Sequence, residues 1–151
     1  MNKVKLTLGN PKSGWLPIEL KSFDFKLEFK ASNIPEYPTD KLCESLILTL
    51  NGIESEICWN LEPKCYFFEL KPNGKDIDFI ISKNGGVTEN RNLIYKLTGD
   101  FESLILPMYR SLKKFSTLEF ERIDWKKTDQ IKLNKLTELI TKRKNYLQHG
   151  V

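Results

Sequence analysis

The chain has 151 residues and a formal charge of +4, with 24 Lys and Arg against 20 Asp and Glu. Its composition, 40% apolar and 29% charged, is typical of a globular protein, and a chain of this length buries roughly 70% of its unfolded surface, which predicts a single domain over residues 1–151. The start has no apolar signal region and no window approaches the roughly 18 apolar residues of a membrane span, so we expect a soluble, cytoplasmic protein.

Strict alternation of apolar and polar residues predicts β-strands in the first third of the chain. One strand contains Val4, Leu6 and Leu8, and a later one contains Phe23, Phe25, Leu27 and Phe29. Between them, GNPKSG is typical of a turn and WLPIEL of a further extended segment. Its apolar residues Ile18 and Leu20 are out of phase with Phe23, so we expect a bulge or tight turn near Lys21 and Ser22.

The segment IPEYPTDKLCESLILTLNG changes to a helical period. Its apolar residues recur at three- and four-residue steps, a spacing that predicts an amphipathic helix: Leu42, Cys43, Leu46, Ile47 and Leu50. We expect Thr39 to cap the start of this helix and Asp40 to lie in its first turn, where the helix dipole favours an acid. The pair Asn51-Gly52 is typical of a helix end.

Residues 56–82, which are rich in aromatic side chains, predict two hairpins. A two-residue type I′ turn at Asn73-Gly74 pairs Phe68 with Phe79, and a short turn at 63–64 pairs Trp59 with Phe68. Both registers place Trp59, Phe68 and Phe79 in one rung on a single face of the sheet. The opposite face then carries Cys58, Asn60, Cys65, Phe67, Glu69, Asp76, Asp78 and Ile80.

After a glycine-rich turn at 84–86, the segment NLIYKL predicts another strand. Helical spacing then starts from a cap at Asp100, and Pro107 either kinks that helix or lies in the first turn of a later one. A last helix is predicted over residues 128–147, with Leu133, Leu136, Ile140 and Leu147 on one side. Together these elements predict an α+β fold: an antiparallel sheet of about six to seven strands with about three helices packed on one face.

Residues suited to catalysis are sparse. The single histidine, His149, lies two residues from the C-terminal end, where chains usually fray. Gly9 and Gly14 have the spacing of a phosphate-binding loop, but Trp15 and Leu16 follow where Lys and Ser or Thr are required. We therefore expect a protein that is not an enzyme, with no catalytic residue, no metal and no cofactor.

The three cysteines, an odd number, indicate a reducing compartment and not a disulfide framework. They have no CxxC spacing for zinc. In the predicted register Cys58 and Cys65 lie some four residues apart along the ladder, about 13 Å at the usual rise, which is too far for a disulfide. We expect free thiols.

Two other functions remain open. The acidic pair Asp76 and Asp78 has the oxygen ligands for a divalent cation, as in a metal hydrolase. The basic C-terminal helix offers a nucleic-acid or phosphate-binding module, although no known nucleic-acid-binding signature accompanies it. Its candidate phosphate contacts are Lys126, Lys127, Lys132, Lys135, Lys142, Arg143 and Lys144.

Protein binding is the function that we favour from the residues. On the polar face of the predicted hairpins, apolar residues stand among carboxylates, which is the pattern of an anchor ringed by polar groups. The predicted partner-binding residues are Asn60, Phe67, Glu69, Asp76 and Asp78. An uncovered strand edge would also allow two copies to pair as a dimer.

Residues 14–70 resemble small uncharacterised bacterial proteins that share a layout of alternating strands, an apolar helix and a W-x-x-E-P-x-x-Y segment. The residues that carry the resemblance are Trp15, Phe25, Leu27, Trp59, Glu62, Pro63 and Tyr66. Proteins of this kind are similar to immunity proteins of polymorphic or contact-dependent toxin systems. The resemblance implies a non-catalytic protein that binds and neutralises one cognate bacterial toxin, with its acidic and apolar surface in the basic cleft of that toxin.

Overall fold

Seven strands and three helices make up residues 3–84 and 90–150, the part of the chain that the computed structural model describes. The strands are β1 (Lys5–Leu8), β2 (Trp15–Ser22), β3 (Phe25–Ser32), β4 (Ser55–Asn60), β5 (Cys65–Asn73), β6 (Asp76–Asn84) and β7 (Arg91–Gly99), and the helices are α1 (Pro38–Leu50), α2 (Leu106–Phe115) and α3 (Gln130–His149). These elements confirm the predicted α+β fold. The strands are divided between two antiparallel sheets, β1-β2-β3 and β4-β5-β6-β7.

Aromatic contacts join the inner faces of the two sheets. The Phe29 ring on β3 lies 5.9 Å from Trp59, 4.9 Å from Tyr66 and 6.3 Å from Phe68, measured between ring centroids. Alternation along β3 turns Phe29 toward the core while its polar neighbours face solvent. The four-stranded sheet therefore buries one face against the three-stranded sheet.

The two hairpin registers differ from the prediction by two residues each. The loop before β5 takes four residues, 61–64, so Trp59 pairs with Tyr66 and not with Phe68. The second turn lies at Gly74-Lys75, so Phe68 pairs with Ile81 and not with Phe79. Gly74 alone has a positive φ there, the pattern of a II′ turn and not of I′.

The predicted single rung is therefore wrong, but the predicted faces are correct. Side chains alternate with a period of two, so a shift of two residues leaves each one on the same face. The Phe68 ring contacts Trp59 at 5.4 Å and Phe79 at 5.3 Å across diagonal positions.

The start of α1 differs from the prediction. Pro38 occupies the first turn, a position that suits its fixed φ, and Tyr37 is the N-cap without a side-chain bond. Thr39 is thus inside the helix and is not its cap. Asp40 lies in the first turn as predicted, and Gly52 follows the helix end with φ +79°.

The buried Thr39 hydroxyl has a long-range partner. Its Oγ1 atom accepts a hydrogen bond of 3.1 Å from Nε1 of Trp125, in the loop between α2 and α3. Trp125 is fully buried and packs edge-on against Tyr37, with 5.1 Å between the ring centroids. This contact fixes the long α2–α3 loop on the start of α1.

A tight turn joins β2 and β3 as predicted, but it includes Phe23. That side chain is 83% exposed and does not belong to the strand. Because Phe23 lies in the turn and not in β3, Ile18 pairs with Phe29 and Leu20 pairs with Leu27 on one face. The phase difference in the sequence therefore marks the turn itself.

Both alternatives for Pro107 describe part of the structure. Asp100 caps a π-helical turn, Phe101–Ile105, through a reciprocal capping box with Ser103. α2 follows directly, with Pro107 in its first turn. The last helix begins later than predicted, capped by Asp129, and its Leu147 is 52% exposed instead of buried with Leu133. The predicted glycine-rich turn falls largely on residues 85–89, outside the described residues.

Replacement of Thr39 by Val should destabilise the fold by about 1–3 kcal/mol, because it leaves the buried Trp125 N–H without an acceptor. Thr39→Ser keeps the hydroxyl and is the matched control, with a smaller loss. Urea unfolding of the three proteins measures the difference. Equal stability of the Val and Ser variants would contradict a structural role for this bond.

Candidate protein-binding face

The outer face of the four-stranded sheet is left uncovered by the described elements. Phe29 on β3 contacts the inner face, as described above. α1 packs on the same side, where Ser45 is hydrogen-bonded to Ser55, and the π-helical turn meets Gly99, opposite Ile77 on the inner face. α3 packs against α1 and α2. We call the opposite side the outer face; it carries Glu56, Cys58, Asn60, Cys65, Phe67, Glu69, Lys71, Asp76, Asp78, Ile80, Ser82, Leu93, Lys96 and Thr98.

The centre of the outer face is apolar. In one row Phe67, Ser82 and Leu93 lie opposite one another on β5, β6 and β7. In the next row Ile80 lies between Glu69 and Lys96. Leu93 is 65% exposed, so an aliphatic side chain is available to a partner at the β7 side of this row.

Phe67, the aromatic residue of the predicted patch, is covered by an arginine. It is only 7% exposed, and the guanidinium carbon of Arg91 lies 3.5 Å from its ring centroid. Arg91 also forms a bidentate ion pair with Glu56. The hydrogen bonds to that carboxylate raise the pKa of Arg91. The group that lies over Phe67 is therefore the planar guanidinium of Arg91, a cation that stacks on aromatic rings.

The four other predicted residues form part of the polar surround. Asn60 donates from Nδ2 to the carbonyl of Ile34 at 2.6 Å, so its amide fixes the end of β4. Asp78 accepts a 2.6 Å bond from the Thr98 hydroxyl. Glu69 and Asp76 make no side-chain hydrogen bond within the described residues and are both half-buried.

The charge on the outer face is mixed. Asp78 lies opposite Lys71, and Ile80 separates Glu69 from Lys96. The predicted outer face contained only carboxylates as charged residues, because no face was assigned to Lys71 or to the last strand. Alternation along β5 does place Lys71 on this face with Phe67 and Glu69. It cannot place Leu93, because the pairing of β7 shifts at a bulge between Ile81 and Ser82.

The cysteines on this face lie closer together than predicted. Asn60 pairs with Cys65 and Cys58 pairs with Phe67, so the two cysteines are diagonal neighbours and not some 13 Å apart. Cys65 Sγ lies 3.9 Å from the amide oxygen of Asn60. Both cysteines are free thiols. Although the residue is exposed, partial desolvation of its thiol by the surrounding strands, with the Cys65 thiol as the second cause, raises the pKa of Cys58 to about 12.

The predicted phosphate contacts of the C-terminal region are partly engaged within the molecule. Lys126 forms an ion pair with Asp40, and Lys132 forms one with Glu44, whose hydrogen bond raises the pKa of Lys132. Arg143 donates to the carbonyl of Leu50 at 3.3 Å. These contacts hold α3 and its preceding loop on α1.

Within residues 3–84 and 90–150, no three His, Cys, Asp or Glu side chains are arranged to hold a metal ion. No helix in the same ranges combines the length and apolar composition that crossing a membrane requires.

No protein-family model matches the chain, and no curated protein matches it. Among solved structures, a chain of the CdiA-CT/CdiI toxin and immunity complex from Enterobacter cloacae is similar, with 14% sequence identity and a TM-score of 0.44. The match covers 76% of this chain and 99% of that one.

We expect iodoacetamide to modify Cys58 at pH 8 on the order of a hundredfold more slowly in the folded protein than in the unfolded chain, because the thiolate is the reactive form. Peptide mass spectrometry measures the rate. Cys65→Ala should speed the reaction by removing the thiol that raises the Cys58 pKa, whereas Cys43→Ala, a change on α1, should not. A Cys58 rate equal to that of the unfolded chain would contradict the raised pKa.

Proposed function

We propose that the protein is a non-catalytic inhibitor that binds one partner protein stoichiometrically through the outer face. The observation that carries this proposal is the exposed Leu93 on β7, which together with the half-buried Ile80 lies among charged residues on an otherwise uncovered face of the sheet. A buried apolar anchor with a polar rim is the usual arrangement of a protein interface.

The finer proposal is an immunity protein that neutralises a cognate bacterial toxin in the cytoplasm. It is supported by the resemblance of residues 14–70 and by the exposed Leu93 among charged residues on the outer face. Glu69 and Asp76, free of side-chain hydrogen bonds in the described residues, would meet basic groups of the toxin. Such pairs raise association rates and select the partner. Asn60, Phe67 and Asp78 complete the proposed contact surface.

Leu93→Asp should weaken partner binding by about tenfold or more, because it places an unpaired charge at an interface anchor. The tagged protein and its variant are used to capture partners from the native strain, and mass spectrometry quantifies a protein recovered in equimolar amount. Titration calorimetry with that purified partner then gives the change in Kd.

Phe23→Asp is the matched control, because Phe23 is an exposed apolar residue in a turn of the other sheet. It should leave the Kd unchanged. If both Asp variants weaken binding equally, the outer face is not the interface.

Neutralisation is tested separately from binding. Expression of the captured partner alone should arrest bacterial growth, and coexpression of the wild-type protein, but not of Leu93→Asp, should restore it. A captured partner that never impairs growth would refute the immunity function and leave the binding proposal intact.

A further inference from the structure

A second surface, formed by elements other than those of the outer face, is a basic groove between β1 and α2. It has a volume of about 330 Å³, and its basic lining residues are Lys3, Lys5, Arg110 and Lys114. No carboxylate of the described residues lines it. Within the described residues none of these four cations forms an ion pair, in contrast to Lys126 and Lys132.

One wall of the groove is the side of β1 that faces α2 and not β2. Gly9 N–H donates to the Pro17 carbonyl at 2.8 Å, so the odd-numbered residues of this strand bond to β2 and the even-numbered ones face the edge. At that edge, Ser111 on α2 donates to the Leu6 carbonyl. Among the described residues, the N–H groups of Leu6 and Leu8 have no backbone acceptor outside the strand pair. α2 covers this side of β1 at Leu6, and Leu6 and Leu8 are buried, so the accessible groups of the wall are the exposed cations Lys3 and Lys5.

The spacing of the cations matches that of an extended peptide. Lys3 and Lys5 are two residues apart at the start of β1, about 7 Å along an extended chain. Arg110 and Lys114 are separated by about 6 Å of axial rise on α2. Acidic side chains at alternate positions of a strand lie about 7 Å apart on one face, so two of them fit each pair of cations.

The same features disfavour nucleic acid. No aromatic side chain of the described residues lines the groove, whereas binding of single strands relies on stacking of bases against aromatic rings.

We propose that this groove binds an extended acidic segment of a partner protein, with carboxylates at alternate positions. The acidic side chains of the segment pair with Lys3, Lys5, Arg110 and Lys114. This site is independent of the outer face and adds a second point of attachment.

The test is fluorescence anisotropy with a labelled peptide of four Glu-Thr repeats. A block peptide of four Glu followed by four Thr has the same composition and charge, and an oligothymidylate of equal charge represents nucleic acid. The alternating peptide should bind at least about fivefold more tightly than either probe, because it alone places its carboxylates at the spacing of the cations. Equal or tighter binding of the block peptide or of the oligothymidylate, or no binding of the alternating peptide, would overturn the proposal.

Lys5→Glu/Arg110→Glu should weaken binding of the alternating peptide by about tenfold or more. Lys135→Glu/Lys142→Glu changes the net charge equally at two exposed lysines of α3 and should leave binding unchanged. Lys5→Gln/Arg110→Gln, with folding checked by circular dichroism, decides the result if the Glu variant does not fold. If the groove and α3 variants lose peptide binding equally, overall charge alone explains the effect, and the proposal is overturned.

Leu93→Asp distinguishes the two surfaces. It should leave binding of the alternating peptide unchanged while it weakens the partner of the outer face. A parallel loss of both would contradict two independent sites.

Discussion

The contact between Phe29 and the aromatic residues of the four-stranded sheet is the interaction on which the architecture depends. A single ring on β3 touches Trp59, Tyr66 and Phe68, and through them it joins two sheets that share no strand pair. Burial of large aromatic side chains contributes most per residue to a core, and edge-on contacts add to it. Because this contact buries one side of the four-stranded sheet, the described elements leave the other side uncovered.

The division into inner and outer faces could be predicted from the sequence, because alternation survives errors in register. Both hairpins are shifted by two residues from their predicted pairing, yet Trp59, Phe68 and Phe79 still lie on one face and Asp76 and Asp78 on the other. Pairing partners depend on loop length. The four-residue loop and the turn displaced by one position differ little in local energy from the predicted loop and turn. The periodicity of apolar residues does not encode such differences.

Contacts between distant segments could not be predicted. The Trp125 bond to Thr39 joins residues 86 positions apart and turns an expected helix cap into a core contact. In the candidate site, Arg91 on β7 stacks on Phe67 on β5. The sequence between these two residues has no clear pattern that would predict the contact. Both contacts depend on the tertiary fold, because it alone determines which side chains become neighbours.

The position of β1 has a consequence for the order in which the chain assembles. One side of this strand pairs with β2, only a short turn away, whereas the other is held by Ser103, which accepts from Val4 N–H, and by Ser111, 105 residues from Leu6. Contacts of such high sequence separation are costly in loop entropy and form late. During synthesis, β1 therefore pairs only with β2 until almost three quarters of the polypeptide has left the ribosome.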